Sequence, residues 1–249
     1  MRFHILVGVL LLALFLAVGC GQASDSFRVP KQGEAGSRSQ TTKNPEEMYS
    51  GVLAQYREVV ANNFYIGIGK RSAAGKDVNS MMIDYARNGD CLYYAFYDID
   101  HNGVPELIVG TDTYGDDVCK CDIFTWDGQQ PVCLLRTPLV NGAGFAIYDG
   151  GVIVTYGSGG GGSYNYQYQK ISPDGQSLTS LVFTSYYEGV YSQGRDDLDQ
   201  EQKEITKKQF SDFARQYTGK DLAELKTDDP NTPFALKDGV VLDWKQLKP

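Results

Sequence analysis

The sequence predicts an α+β fold, a central antiparallel meandering sheet with an N-terminal and a C-terminal helix packed on it. Apolar residues recur at helical spacing near residues 44–64 and 205–219, whereas the stretch between them alternates and is interrupted by turns, as strands are. The chain also contains 17 tyrosines and 28 glycines in 249 residues, which favours strands and tight turns. Helix, many strands, then helix is an order typical of α+β domains.

The N-terminal segment, residues 1–19, predicts an export signal. Arg2 precedes an uncharged apolar run, Ile5–Val18, which is short for a membrane span and ends in small residues. The sequence Leu16-Ala17-Val18-Gly19-Cys20 resembles the lipobox of bacterial lipoproteins, although a larger aliphatic residue is commoner at the second position. The resemblance implies cleavage before Cys20 and acylation of that cysteine, which would anchor the protein in the lipid bilayer. An ordinary secretory signal is the alternative, and the mature chain is extracytoplasmic under either interpretation.

The segment after the signal predicts a tether and then one domain. Residues 20–43 are rich in Gly, Ser, Gln, Thr and Lys, so we expect a flexible connection between the lipid and the folded part. Residues 44–249 are predicted to form a single α+β domain. Its first helix begins with Asn44 as a cap and Pro45 at the first helical position. Its buried face is predicted to comprise Met48, Val52, Tyr56, Val59 or Val60, and Phe64.

The middle of the chain predicts successive hairpins. Leu92–Tyr97 and Leu107–Val109 predict strands on either side of an acidic loop. An Asp-Gly turn at residues 127–128, an Asp-Gly-Gly turn at 149–151 and a Pro-Asp-Gly turn at 173–175 predict the following connections. The meander that results is the predicted central sheet.

The C-terminal helix carries clear start and stop signals. Thr206 and Gln209 have the spacing of a capping box, and Gly219 is placed to end the helix. The predicted buried stripe is Phe210, Phe213, Ala214 and Tyr217. The segment Val240–Leu247 is predicted to add a short strand or turn.

The acidic loop, residues 98–106, has the layout of a calcium site. Positions one, three, five and nine carry oxygen-bearing side chains: Asp98, Asp100, Asn102 and Glu106. Gly103 stands at position six, where such loops turn sharply, and calcium is the hard cation that usually occupies an all-oxygen site. The alternative is a polar turn in which Asp, Asn and Gly serve the backbone alone.

The residues around this loop argue against a helical EF-hand. Position twelve is Val109 instead of a bidentate glutamate, and the flanks are strand-like. The loop resembles the calcium loop of FG-GAP and VCBS-type repeats, which joins two antiparallel strands. The stretch from Tyr94 to Gly110 resembles uncharacterised lipoproteins of Gram-positive bacteria. The first resemblance implies ligation by the four oxygen-bearing side chains and the carbonyl of Val104, although that family usually has aspartate where this chain has Glu106.

Two further patterns admit a functional and a plain structural interpretation. Residues 157–162 match GxGxxG, but a strand-like stretch follows where a dinucleotide site needs a helix, so we interpret them as a hairpin tip. Tyr164, Tyr166 and Tyr168 share one face of a strand. Such a row could bind a sugar or a peptide, but a core position is favoured.

The four cysteines beyond Cys20 are candidates for disulfide bonds. An exported chain with an even number of cysteines predicts disulfides, and four cysteines allow three pairings. Those residues are Cys91, Cys119, Cys121 and Cys133. Cys119 and Cys121 would lie on one side of a regular strand, which favours bonding of each to another partner. A zinc site is disfavoured because no CxxC pair is present.

Composition and motifs narrow the function without identifying it. A formal net charge of -8 argues against nucleic-acid binding. His101 is the only histidine outside the signal, and neither GxSxG nor HExxH occurs. A conventional Ser-His-Asp triad is therefore excluded unless His101 serves in it, and histidine-rich zinc sites are excluded. We expect a membrane-anchored lipoprotein of binding or structural type with a structural calcium site. The alternatives are a carboxylate-dependent hydrolase of envelope polysaccharide and an adhesion or ligand-binding lipoprotein that uses the tyrosine-rich strands.

Overall fold

The computed structural model describes residues 44–62, 78–82, 90–112, 118–137, 143–160, 162–196, 202–220 and 239–248. The predicted signal peptide, Cys20, the predicted tether and Phe64 lie outside these residues. Within the described part, the chain divides into two compact units. The first unit includes the N-terminal helices, the strands up to Arg136, residues 173–177 and residues 242–248. The second includes the strands and the helix of residues 143–172 and 178–220, with residues 239–241.

The predicted N-terminal helix consists of two helices in immediate succession, α1 (Pro45–Met48) and α2 (Ser50–Asn62). The Asn44 side chain accepts a hydrogen bond from the Glu46 amide at 3.0 Å, so the predicted cap is confirmed. Tyr49 interrupts the helix with φ -99° and ψ 12°, and its ring contacts those of Phe96 and Trp126. The predicted stripe is buried at Met48, Val52, Tyr56 and Val59.

The sheet of the first unit has five antiparallel strands in the order β11-β1-β2-β3-β4. The strands are β1 (Leu92–Tyr97), β2 (Glu106–Thr111), β3 (Cys119–Trp126), β4 (Pro131–Arg136) and β11 (Lys245–Gln246). Gly128, in the predicted Asp-Gly turn between β3 and β4, has φ 104°, a conformation that glycine adopts without strain. The C-terminal segment, predicted to add a short strand or turn, forms the strand β11, which pairs with β1.

The sheet of the second unit is a six-stranded meander in the order β10-β9-β8-β7-β6-β5. The strands are β5 (Gly144–Tyr148), β6 (Val152–Gly160), β7 (Ser163–Ile171), β8 (Leu178–Tyr187), β9 (Val190–Gly194) and β10 (Lys203–Ile205). The α+β class and its antiparallel hairpins are confirmed, and the strands form two sheets where the sequence predicted one. Whether residues 44–249 act as a single domain stays a prediction.

The helix of the second unit, α3 (Lys207–Thr218), forms as its sequence predicts. The hydroxyl of Thr206 accepts the amide of Gln209 at 3.2 Å, and the Gln209 side chain accepts the Thr206 amide at 2.9 Å. Gly219 ends the helix in the left-handed conformation, with φ 72°. Phe210 and Ala214 are buried, and Phe213 and Tyr217 pack partly buried against the same core. The capping box and the glycine stop are therefore confirmed.

Candidate metal centre

The acidic loop joins β1 and β2, two neighbouring antiparallel strands of the first unit. Tyr97, the last residue of β1, pairs with Glu106, the first residue of β2. Val109, at position twelve, lies in β2 and is buried. The predicted strand-loop-strand arrangement is confirmed, and it differs from the helix-loop-helix of an EF-hand.

Backbone hydrogen bonds fold the loop around its first aspartate. The two carboxylate oxygens of Asp98 accept the amides of Asn102 at 3.0 Å and Gly103 at 2.9 Å. Gly103 has φ 86°, which explains the glycine at position six, since a side chain there would be strained. His101 adopts φ 59°, a left-handed conformation that is uncommon outside glycine but that histidine adopts more often than most residues. The loop is thus tightly turned.

Three carboxylates converge inside this turn. One oxygen from each of Asp98, Asp100 and Glu106 lies within 4.8 Å of the other two. Asp98 and Asp100 are half-buried, whereas Glu106 is fully buried. Three hard oxygen donors at this spacing are a donor set that suits calcium or a similar cation.

The buried carboxyl of Glu106 is held in place by two hydrogen bonds. It accepts the Ile99 amide at 2.9 Å and the Thr125 hydroxyl at 3.2 Å. Burial, with smaller contributions from the negative charges of Asp100 and Asp98, raises the pKa of Glu106 to about 8. The two hydrogen bonds oppose this rise in pKa without cancelling it. Ionisation of Glu106 is therefore unfavourable in free energy in the protein alone, and a bound cation would offset that cost.

The other two predicted ligands take part in the turn. The Asn102 side-chain oxygen accepts the Val104 amide at 2.7 Å, and its amide nitrogen donates to Asp100 at 2.9 Å. This is an Asx-type turn, in which the asparagine side chain shapes the backbone. Val104 itself is buried. Of the five predicted ligands, the structure brings three carboxylates together. The side-chain oxygen of Asn102 accepts a backbone amide of the turn.

Residues from other helices and strands fix the position of the loop, and the sequence did not indicate these contacts. The Tyr49 hydroxyl, between α1 and α2, donates to the Pro105 carbonyl at 2.9 Å. Thr125 reaches Glu106 from β3, and Ile99 is fully buried. No local signal marks Tyr49 or Thr125, because their roles depend on how the helices and strands pack.

A second buried acid lies on β3. Asp122 is 0% exposed and accepts hydrogen bonds from the Tyr56 hydroxyl, the Asn79 side chain at 2.8 Å and Arg136 Nε at 3.2 Å. Burial outweighs these contacts and raises the pKa of Asp122. Burial and the nearby Asp122 charge also raise the pKa of Tyr56. The network links α2, β3 and β4, which is a structural role that the sequence did not indicate.

The tyrosine row of β7 is buried. Tyr164, Tyr166 and Tyr168 belong to the core of the second unit, as the favoured interpretation expects. Their rings contact Tyr186, Phe210 and Tyr217. Their burial counts against a ligand surface on these three residues, and the adhesion alternative stays a prediction.

The remaining candidate residues have local structural explanations. Residues 157–160 lie in β6 and β7 begins at Ser163, so the GxGxxG match is part of a hairpin. No disulfide joins Cys91, Cys119, Cys121 and Cys133, all of which lie in the described part of the chain. Disulfide formation and the alternative of a carboxylate-dependent hydrolase both stay predictions.

Comparison with known proteins returned no match to a protein-family model, to a curated protein or to a solved structure. Among the described residues, no helix has the length and apolar character needed to cross a membrane.

Proposed function

We propose that this chain is a lipid-anchored, extracytoplasmic protein of binding or structural type, in which calcium bound by the β1–β2 loop stabilises the fold. The observation that carries the proposal is the convergence of Asp98, Asp100 and Glu106 within 4.8 Å of one another. Three carboxylates around a dication leave a local charge of about -1, which favours binding. An exported location would supply calcium at concentrations at which modest affinity suffices.

A structural role for the ion is supported by the surroundings of the loop. Glu106 contacts Thr125 of β3, and the neighbouring Pro105 accepts a hydrogen bond from Tyr49 between the N-terminal helices. A cation on Glu106 would therefore stabilise a point where the hairpin, β3 and the helices meet. It would also neutralise a carboxylate that burial alone disfavours.

Calorimetric titration with calcium tests this site. We expect a dissociation constant on the order of 10⁻⁴ to 10⁻³ M, as in extracellular calcium modules. Calcium at about 100 times that constant should stabilise the folded chain by about 2.7 kcal/mol, visible as a higher melting temperature. Asp100→Asn should abolish both the heat and the shift, because it removes a charge and changes the side chain's shape little.

Asp127→Asn is the matched control. Asp127 also shapes a turn between two strands, accepting the amides of Gln129 at 2.7 Å and Gln130 at 2.8 Å, but it is not part of the carboxylate cluster. The control should keep the full calcium response. Equal calcium responses in the wild type and Asp100→Asn, or none in the wild type at millimolar calcium, would disprove the proposed site.

The anchor is tested separately, by expression of the full chain in a bacterial host fed labelled palmitate. We expect label in the protein and its recovery in the membrane fraction. Cys20→Ser should lose both, since the thioether cannot form, whereas Cys91→Ser should keep both. Equal label in the wild type and Cys20→Ser would overturn the lipid anchor and leave the calcium site unaffected.

A further inference from the structure

The side chain of Tyr49 joins the N-terminal helices directly to the acidic loop. Tyr49 lies at the break between α1 and α2, where its amide donates to the Pro45 carbonyl at 3.1 Å and its carbonyl accepts the Leu53 amide at 2.9 Å. Tyr49 is 0% exposed, and its hydroxyl donates to the Pro105 carbonyl at 2.9 Å. The two residues are 56 positions apart in the sequence, so the contact exists only because the helices pack beside the loop.

The acceptor of this hydrogen bond stands between two predicted calcium ligands. Pro105 follows Val104, whose carbonyl is a predicted ligand, and precedes Glu106, whose carboxyl belongs to the acidic cluster. The Pro105 carbonyl is part of the planar peptide group that continues into Glu106, so holding its oxygen fixes the direction in which the Glu106 backbone begins. The proline ring also restricts φ at residue 105. Tyr49 therefore restrains the backbone from which a predicted ligand extends.

Ring contacts hold the Tyr49 hydroxyl in this position. The ring of Tyr49 contacts that of Phe96 in β1, with centroids 5.9 Å apart, and that of Trp126 in β3, edge to face at 6.3 Å. Thr125, the residue before Trp126, donates its hydroxyl to Glu106 at 3.2 Å. Two consecutive residues of β3 therefore support both the donor of the Tyr49 hydrogen bond and the buried carboxyl of the loop.

A second contact between α1 and the sheet is weaker. Glu46 of α1 accepts hydrogen bonds from the Tyr94 hydroxyl at 3.2 Å and from Lys245 Nζ at 2.9 Å. The side chains of Lys245 and Glu46 are 51% and 45% exposed, and exposed ion pairs contribute little to stability. Tyr49 is fully buried, so water competes less for its hydrogen bond. We therefore expect the contact from Tyr49 to hold the helices more firmly.

We propose, on the basis of the calcium site proposed above, that calcium in the loop tightens the packing of α1 and α2 through the Tyr49 hydroxyl, and that Tyr49 is a positioning residue for calcium. A cation that fixes Glu106 also fixes the neighbouring Pro105 carbonyl, and the hydrogen bond from Tyr49 passes this restraint to the helices. Coupling between two sites is reciprocal, so the same hydroxyl favours the calcium-bound loop. A loop that is held before binding loses less entropy when the cation arrives.

This coupling acts on the helices that lie nearest in sequence to the proposed lipid attachment. α1 begins at Pro45, directly after its cap Asn44, and the segment before Asn44 leads back to Cys20. The helices therefore connect that segment to the sheet of the first unit. Calcium would regulate how stably this connection is folded, in addition to stabilising the β1–β2 hairpin.

Calcium titration of the full chain compares the wild type with Tyr49→Phe and Tyr94→Phe. Tyr49→Phe keeps the ring and removes the hydroxyl, so its calcium dissociation constant should rise about threefold to tenfold, as expected for the loss of one hydrogen bond. Tyr94→Phe is the matched control, because it removes a tyrosine hydroxyl that is bonded to α1 instead of the loop. The control should bind calcium as the wild type does. Equal weakening in both variants would indicate general support by the helices and would overturn the proposal.

Hydrogen exchange followed by peptide mass spectrometry reports on the helices themselves. In the wild type, saturating calcium should slow exchange in residues 45–62, and the slowing should be about threefold to tenfold smaller in Tyr49→Phe because the coupling is reciprocal. Calcium should leave exchange in Asp100→Asn unchanged, a result that does not require a Tyr49 variant to fold. Calcium binding to the wild type without slower exchange in the helices would overturn the coupling alone. Absence of calcium binding to the wild type would overturn the proposed site and the coupling with it.

Discussion

The two units bury different chemistry. Among the described residues of the first unit, two carboxyl groups are buried, Glu106 and Asp122, and each accepts hydrogen bonds from several elements. The interior of the second unit is dominated by aromatic rings, and no carboxylate among its described residues is buried. Tyrosine rings of β7, for example, contact Phe210 and Tyr217 of α3.

This difference indicates which unit's stability depends on charged groups. Aromatic rings contribute to stability through burial and ring contacts, and these are insensitive to pH below the pKa of tyrosine. Buried carboxyl groups contribute only when their donors, or a cation, offset the loss of solvation. We therefore expect the first unit to respond to pH and to cations and the second unit to respond mainly to loss of volume.

Phe210→Ala should have the largest effect on stability. Phe210 is 1% exposed, and its ring contacts those of Tyr166 and Tyr191, so its removal leaves a cavity. We expect a loss of about 4 kcal/mol in the free energy of unfolding, measured with urea. Tyr187→Ala is the control, because this aromatic residue is 54% exposed, and it should change stability by less than about 0.5 kcal/mol. Similar losses for the two variants would contradict an aromatic core in the second unit.

Asp122→Ala should have the next largest effect, a loss of about 3 kcal/mol in the free energy of unfolding. The substitution leaves donors from Tyr56, Asn79 and Arg136 without their acceptor.

The contribution of Asp122 to stability depends on pH with a definite sign. The folded-state pKa of Asp122 lies above the unfolded value near 3.9, so the folded chain holds this proton more tightly. The stability from this group is greatest below the unfolded pKa and is lost as pH rises through the folded pKa.

The measurement compares wild type with Asp122→Asn by urea denaturation from pH 3 to pH 8. Wild-type stability should fall relative to that of the variant as pH rises above about 4. A parallel pair of curves would show that Asp122 titrates alike in the folded and unfolded chains.

Glu106→Gln should change stability in the opposite direction. A glutamine oxygen can accept the Ile99 amide, and its amide nitrogen can donate to the Thr125 hydroxyl, so both contacts survive. Without the cost of ionising a carboxyl whose pKa is raised to about 8, the variant should be more stable than the wild type by at least about 1 kcal/mol in chelator at pH 8. The same variant should lose the stabilisation by calcium, measured as the shift in melting temperature. Lower stability in chelator together with a normal calcium shift would contradict the assignment of Glu106.

The sequence predicted helix ends and turns well, because side chains within a few residues determine them. The caps at Asn44 and Thr206, the stop at Gly219 and the Asp-Gly turn of β3–β4 all appear as expected, because each depends on side chains within a few residues. The break at Tyr49 was missed. The spacing of apolar residues is almost the same in one long helix and in two short consecutive helices.

The acidic loop shows the same limit within one site. Its spacing identified Asp98, Asp100 and Glu106 as neighbours and required a glycine at position 103, and these features follow from nine consecutive residues. The supports from Tyr49 and Thr125 come from distant segments, and the sequence gives no register by which to place them. Whether the loop binds calcium stays a prediction of both the spacing and the geometry.

The sequence by itself determined the α+β class, the hairpins, the helix caps and the clustering of acids in one turn, because short-range backbone geometry dictates all of them. Tertiary structure alone decided that the strands form two sheets, that Asp122 is buried with Tyr56, and that β3 bulges at Cys121 opposite Val109 and Gly110. Those outcomes depend on strand register, and a shift of one residue would move every side chain to the other face of the sheet.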